Sequence, residues 1–302
     1  MSAGQQFTEK YLDVMFSSLR DANPEEVQEE LEHCRLINRR LVRVPRLFRE
    51  HYSECGFQAS NGYSMQVFST APSQGCDTLI LYLHGGACIY QPVFFHWRFV
   101  HDLGLRTHDP VVMPIYPKYP EYHCVDDSAV LLDFYERWIM PQQAKRVVLM
   151  GDSFGGNLAM MMTQEIAKRG LQPVSSLVLL SPCVDNAYTR RDAMMALQPL
   201  DRMIKLERVE TIMGGWQGEL PSTHPWVSPV YGDLKAFPDH TMVIYGSDEI
   251  LKVDAELLVE KIGEVGRPIQ ALEYPGMFHT FPLFPLKEGF DAIRKIVKMI
   301  KN

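Results

Sequence analysis

Positive charge, clustered cysteines and long apolar runs are all scarce in this chain. Lys and Arg total 30 against 37 Asp and Glu, a net charge of −7. An acidic chain carries no electrostatic footprint for nucleic acid and little for an anionic membrane. The six cysteines, at 34, 55, 76, 88, 124 and 183, are widely spaced and form no CxxC pair. That spacing argues for free thiols in a reducing compartment. The longest apolar stretches, such as Leu79–Leu83 and Leu177–Leu180, fall far short of a membrane span, so no stable membrane insertion is expected. Met1–Lys10 is polar and lacks the apolar core of a signal peptide. Together these absences predict a cytoplasmic protein. Apolar residues at 46% and charged residues at 22% exclude disordered and collagen-like classes.

What is present is a chain of 302 residues, enough for one large domain or two small ones. Methionine and aromatics are plentiful, with 16 Met, 15 Phe, 13 Tyr and 4 Trp, and most belong by default in a large core. Residues 5–44 read as helical. Asn23-Pro24-Glu25-Glu26 is a start signal, and Val27, Leu31, Cys34 and Ile37 follow at helical spacing. After the Asn61-Gly62 turn, Tyr63, Met65, Val67 and Ser69 alternate as in a half-exposed strand.

A rhythm then sets in. Apolar runs at 78–83, 111–115, 146–150, 176–180, 241–245 and 269–274 alternate with helix-like segments at 94–106, 125–139, 154–169, 252–264 and 286–301. Strands apolar throughout, alternating with helices, predict an α/β fold: a mostly parallel sheet with helices on both faces. The stretch between Ser181 and Thr241 is too long for an ordinary connection. It contains Met194, Met195, Met203, Met213, Trp216 and Trp226, and reads as an insertion. Thioethers and flat rings there suit a cover over an apolar pocket, or equally a segment packed on itself.

Gly151-Asp152-Ser153-Phe154-Gly155 lies between a strand-like run and a helix-like segment. GxSxG in that context is a nucleophile turn, in which small flanking residues let strand and helix approach and the serine hydroxyl project. Neither GxGxxG nor GxxxxGK[ST] fits the same stretch. His84-Gly85-Gly86-Ala87 follows the run at 78–83. A loop in that position supplies backbone N–H groups to a developing oxyanion, so Gly85, Gly86 and Ala87 are candidate donors, with Phe154 N–H as another. His84 itself reads as a structural residue.

These two motifs together resemble the hormone-sensitive-lipase-like family of α/β-hydrolase esterases, which carries HGGG ahead of a GDSAGG-type turn. Tyr116-Pro117-Lys118-Tyr119-Pro120-Glu121-Tyr122 echoes a third family segment. The resemblance covers about residues 60–300. It implies an α/β-hydrolase fold with a helical cap, and carboxylic-ester hydrolysis without cofactor or metal. The cap would comprise an N-terminal region at 1–45 and an insertion at about 185–232, set on a catalytic domain at 46–302. Ala87 stands where the family has its third Gly, Phe154 where it has Ala, and Lys118-Tyr119 where it has Leu-Ala. In the family the second and third glycines donate, which implies Gly86 and Ala87 here.

The fold places the triad in the order serine, acid, histidine. His240 precedes the run at 241–245 and so lies at the wrong strand end. His279, in Gly276-Met277-Phe278-His279-Thr280-Phe281, follows the last strand-like run and matches the family's G-x-x-H-x-F. For the acid, Asp248 and Glu249 compete, with Asp185 and Asp254 weaker. The family register favours Glu249 and leaves Asp248 as the alternate. The expected activity is hydrolysis of small, short-acyl esters through Ser153, His279 and Glu249. Acyl transfer, peptide or amide hydrolysis, and a non-catalytic ligand-binding role stay open. The expected partner is a small-molecule ester, with a homodimer the one assembly kept open.

Overall fold

A computed structural model describes residues 24–302. Helix α1 (Pro24–Asn38) opens at the predicted proline. The predicted helix at 5–44 is corrected at its C-terminal end; residues 5–23 lie outside the described ones. From 41 to 45 the chain is irregular. Pro45 disfavours helical backbone at the residue before it. Val42 is also occupied, its N–H donating to Gln66 Oε1 (2.8 Å) and its carbonyl accepting from Gln66 Nε2 (3.2 Å).

The strands are β1 (Ser53–Gln58), β2 (Ser64–Ser69), β3 (Thr78–Leu83), β4 (Val111–Pro114), β5 (Arg146–Asp152), β6 (Ser176–Leu180), β7 (His240–Gly246) and β8 (Gln270–Tyr274). They form one eight-stranded sheet in the order β1-β2-β4-β3-β5-β6-β7-β8. All pairings from β4 to β8 are parallel, and β2 runs antiparallel to both β1 and β4. Strand β1 escaped the sequence reading. As an edge strand it buries only Phe57, so its sequence carries no alternation to detect.

The helices α2 (Phe94–Thr107), α3 (Cys124–Phe134), α4 (Phe154–Lys168), α7 (Lys252–Glu264) and α8 (Lys287–Lys301) cover the sheet. Burial on both faces explains the unbroken apolar runs. Leu79, Leu81, Leu83, Val147, Leu149, Leu177, Leu179 and Val243 face one core, shared with Met160–Met162 of α4. The intervening Ile80, Tyr82, Val148, Met150, Val178, Leu180, Met242 and Ile244 face the other, shared with α2 and α8. Each fully buried side chain of this size contributes about 1.5–3 kcal/mol.

Between β6 and β7 lie two α-helices, α5 (Arg191–Leu197) and α6 (Leu206–Gln217), followed by two short 3-10 turns. Leu206, Ile212, Met213 and Trp216 of α6 share a core with Val27, Leu31 and Cys34 of α1. The N-terminal helix and the segment between β6 and β7 therefore pack on one another. The parallel register also fixes which ends converge: Leu83 pairs with Gly151, and Asp152 with Leu180. The loops leaving β3, β5 and β6 thus start side by side.

Candidate active site

Ser153 joins β5 to α4 with φ +53° and ψ −121°. That conformation is costly for a residue with a Cβ and persists only where its surroundings enforce it. The flanking glycines supply the enforcement. A Cβ at Gly151 would collide with the carbonyl of Gly155, and one at Gly155 with the carbonyl of Leu83. Strand, turn and helix can meet this closely only without side chains at these two positions.

His279 is buried in the loop after β8. Its Nδ1 lies 2.7 Å from Glu249 Oε2. A carboxylate only accepts, so Nδ1 carries the proton and Nε2 is left as the acceptor. The other oxygen, Glu249 Oε1, accepts from Gly246 N–H (2.6 Å) and Ser181 Oγ–H (2.7 Å). Ser181 Oγ in turn accepts from Thr280 N–H at 3.0 Å, tying the end of β6 to the residue after His279. Burial alone would depress the His279 pKa. The hydrogen bond and charge of Glu249, with the charges of Asp201 and Asp152, outweigh it and hold the pKa above the ordinary histidine value. Asp248 is turned elsewhere. It is partly exposed, accepts from Ser247 Oγ–H at 2.6 Å, and donates its own N–H to Met277 O at 3.0 Å. Asp185 serves the backbone at Ala187 and Thr189, Asp254 serves Val184 and Asp185, and His240 lies exposed at the start of β7.

The loop after β3 holds three successive residues at positive φ: Gly86 (+113°), Ala87 (+48°) and Cys88 (+57°). The Gly86 carbonyl accepts from Ile89 and Tyr90 N–H at 3.1 and 3.0 Å. Among the described residues, the N–H groups of Gly86, Ala87 and Phe154 meet no hydrogen-bond acceptor. Gly85 is different and leaves the set of candidate donors. Its N–H is spent on Asp152 Oδ1 at 2.9 Å. The same carboxylate accepts from Tyr82 Oη–H and lies 3.3 Å from His96 Nε2. Val93 N–H donates to His96 Nδ1 at 3.0 Å, which leaves the ring proton on Nε2, facing Asp152. Burial opposes ionisation of Asp152, but these partners prevail and keep its pKa below the ordinary value. Asp152, His96 and Ser181 were missed by the sequence reading. Only the residue type of Asp152, inside the GxSxG motif, could have signalled any of them.

His84 is the structural residue expected. It is wholly buried, stacks on Tyr116 with ring centroids 4.8 Å apart, and has its Nδ1 2.6 Å from Gly85 O. Burial drives its pKa well down, which keeps the ring neutral.

Ser153, His279, Gly86, Ala87 and Phe154 all open on one cavity of about 490 Å³. That size suits a small-molecule site. Its walls are mainly apolar and include Phe95, Phe284 and, from the segment between β6 and β7, Met203, Ile204, Ile212 and Met213. Of the six large residues singled out in that segment, Met203 and Met213 reach the cavity; Met194, Met195, Trp216 and Trp226 do not. Trp216 instead packs edge-on against Phe154 (4.8 Å) and donates Nε1–H to the buried Asp127 at 2.7 Å. One polar cluster interrupts the apolar wall. Arg208 donates to Glu30 of α1 and to Tyr90 Oη (2.6 Å).

Residues 80–283 match the model of the alpha/beta hydrolase fold family. An esterase from Acinetobacter venetianus is 29% identical, covering 68% of this chain and 68% of its own. An acetyl-hydrolase from Streptomyces hygroscopicus is 30% identical, covering 74% of this chain and 75% of its own. The crystal structure of a hormone-sensitive lipase from a metagenome library superposes with a TM-score of 0.79 at 21% identity, covering 98% of this chain and 97% of that one, and bears on the fold alone. The chain belongs to this alpha/beta-hydrolase family.

Proposed function

We propose that the protein hydrolyses small carboxylic esters through an acyl-enzyme on Ser153. It is a carboxylic-ester hydrolase of the esterase and lipase class, and the family match and the two curated relatives support that class. The single observation that carries the mechanism is the bond from His279 Nδ1 to Glu249, beside the cavity that Ser153 and His279 share.

His279 Nε2 takes the Ser153 proton as Oγ attacks the ester carbonyl. Glu249 holds the ring in the required tautomer and stabilises the imidazolium. The N–H groups of Gly86, Ala87 and Phe154 receive the oxyanion, helped by the N-terminus of α4. His279 then protonates the leaving alcohol, and water hydrolyses the acyl-enzyme with the same base.

Residues 24–45, the described part of the expected region at 1–45, and about 185–232 serve as a cap on the catalytic domain at 46–302. Cavity-lining residues from α1 and α6 support that division. Short acyl chains are preferred. Phe154 is bulky where the family has Ala and is backed by Trp216, and one relative bears the name acetyl-hydrolase. A cytoplasmic location accords with six free thiols. No described helix is long and apolar enough to cross a membrane. The complete Ser153–His279–Glu249 set speaks against a purely ligand-holding role.

The test is release of p-nitrophenol from acetyl to decanoyl esters by wild type and Ser153→Ala. Equal rates in the two proteins would sink the serine mechanism. Rates rising steadily to decanoyl would sink the short-acyl preference alone.

A further inference from the structure

Asp201 lies between α5 and α6 and is buried, although no step of acyl transfer uses it. Its Oδ1 accepts the N–H groups of Met203 and Ile204, each at 2.9 Å. Its Oδ2 accepts the N–H of Ile250 at 2.8 Å, 49 residues away in sequence. Met203 and Ile204 are cavity wall, and Ile250 is the residue after Glu249. A carboxylate that merely shaped its own turn would need only the first two bonds.

We propose that Asp201 is a positioning residue, locking the cavity wall at Met203 and Ile204 to the loop that presents Glu249. This role rests on the acyl-enzyme reading of Ser153. Asp201 also acts through its charge. Burial raises its pKa, opposed by His279 and by the three N–H donors. In return its anion helps keep His279 protonated to higher pH, together with Glu249 and Asp152. The charged and titratable groups that line the cavity beside His279 include Asp152 and His96, Lys205 and Arg208 from the segment between β6 and β7, and Glu30 from α1.

The experiment compares full-length wild type, Asp201→Asn and Asp201→Glu, with the exposed Asp192→Asn as control, on p-nitrophenyl acetate across pH. A phosphonate titration counts active sites. In Asp201→Asn, kcat per active site falls roughly 10- to 100-fold, because the acid loop loses its anchor. The acid limb of kcat/KM moves to lower pH, because His279 loses an anionic neighbour. Asp201→Glu keeps the acid limb near that of wild type while kcat falls, and Asp192→Asn changes neither. A role confined to folding would lower Tm and the count of active sites, yet leave kcat per site and the acid limb in place; that result overturns the proposal.

Should Asp201→Asn not fold, wild type still decides. Amide exchange at Met203, Ile204 and Ile250 slows together when a phosphonate occupies Ser153, and independent responses overturn the coupling. Activity retained in Ser153→Ala would remove both readings. Activity lost there but unchanged in folded Asp201→Asn removes only this one.

Discussion

At Ser153 the backbone carries the constraint, whereas in the cavity wall drawn from the segment between β6 and β7, side chains do. The turn at 151–155 admits no Cβ at Gly151 or Gly155, and its serine sits at φ +53°. The loop at 86–88 is equally fixed, with Asp152 anchoring Gly85 beneath it. The wall from the segment between β6 and β7 is made of Met203, Ile204, Ile212 and Met213, held by polar ties at Asp201 and Arg208. Fixed dipoles are what a transition state rewards, because they cost no reorganisation during reaction. Adaptable thioethers are what a range of ester shapes requires. The first region should therefore govern kcat and the second substrate preference.

Changes on the two sides test that division. The largest effect is expected from His279→Ala, with kcat falling roughly 10⁶-fold while KM changes little. A similar KM rise in place of the kcat loss would break the comparison. Next comes Glu249→Gln, with a kcat loss of about 10⁴-fold. A pH profile checks it further. In the proposed mechanism only neutral His279 accepts the serine proton, so wild-type activity should fall as pH drops through a pKa held above the ordinary histidine value. Removing the Glu249 charge moves that acid limb to lower pH.

In the wall from the segment between β6 and β7, Met213→Ala should leave kcat on acetyl esters nearly intact. The preference for hexanoyl over acetyl esters, read from kcat/KM, should rise about tenfold as the cavity lengthens. An equal loss on both esters would show that this wall also serves the chemistry. The smallest effect is expected from Asp248→Asn, with kcat within about threefold of wild type, since exposed hydrogen bonds contribute little. A loss like that of Glu249→Gln would return the acid to Asp248.

Much of this was legible in the sequence because it follows from local constraint. A parallel sheet buried on both faces must be apolar at nearly every position, so β3 to β7 stood out as runs, while β8 at the other edge is mostly exposed. The GxSxG turn is legible because close approach of three elements leaves only glycine at two positions. Strand β1 was invisible because an edge strand owes little to the core. The side chains between β6 and β7 were only half legible. Methionine and tryptophan report apolar surroundings without saying which neighbour supplies them, and Trp216 turned to Asp127 and Phe154 instead of the cavity.

The sequence by itself determined all of the sheet but β1, and with it the serine turn, the loop after β3 and the histidine near the end of the chain. Each is set by residues within a few positions of one another. Only the tertiary structure set Glu249 against His279 and turned Asp248 away, engaged the Gly85 N–H with Asp152, and brought Asp152, Ser181 and Asp201 into view. Their partners lie tens of residues away, 30 from Glu249 to His279 and 67 from Gly85 to Asp152. Which way a carboxylate points depends on donors that folding alone brings within hydrogen-bond reach.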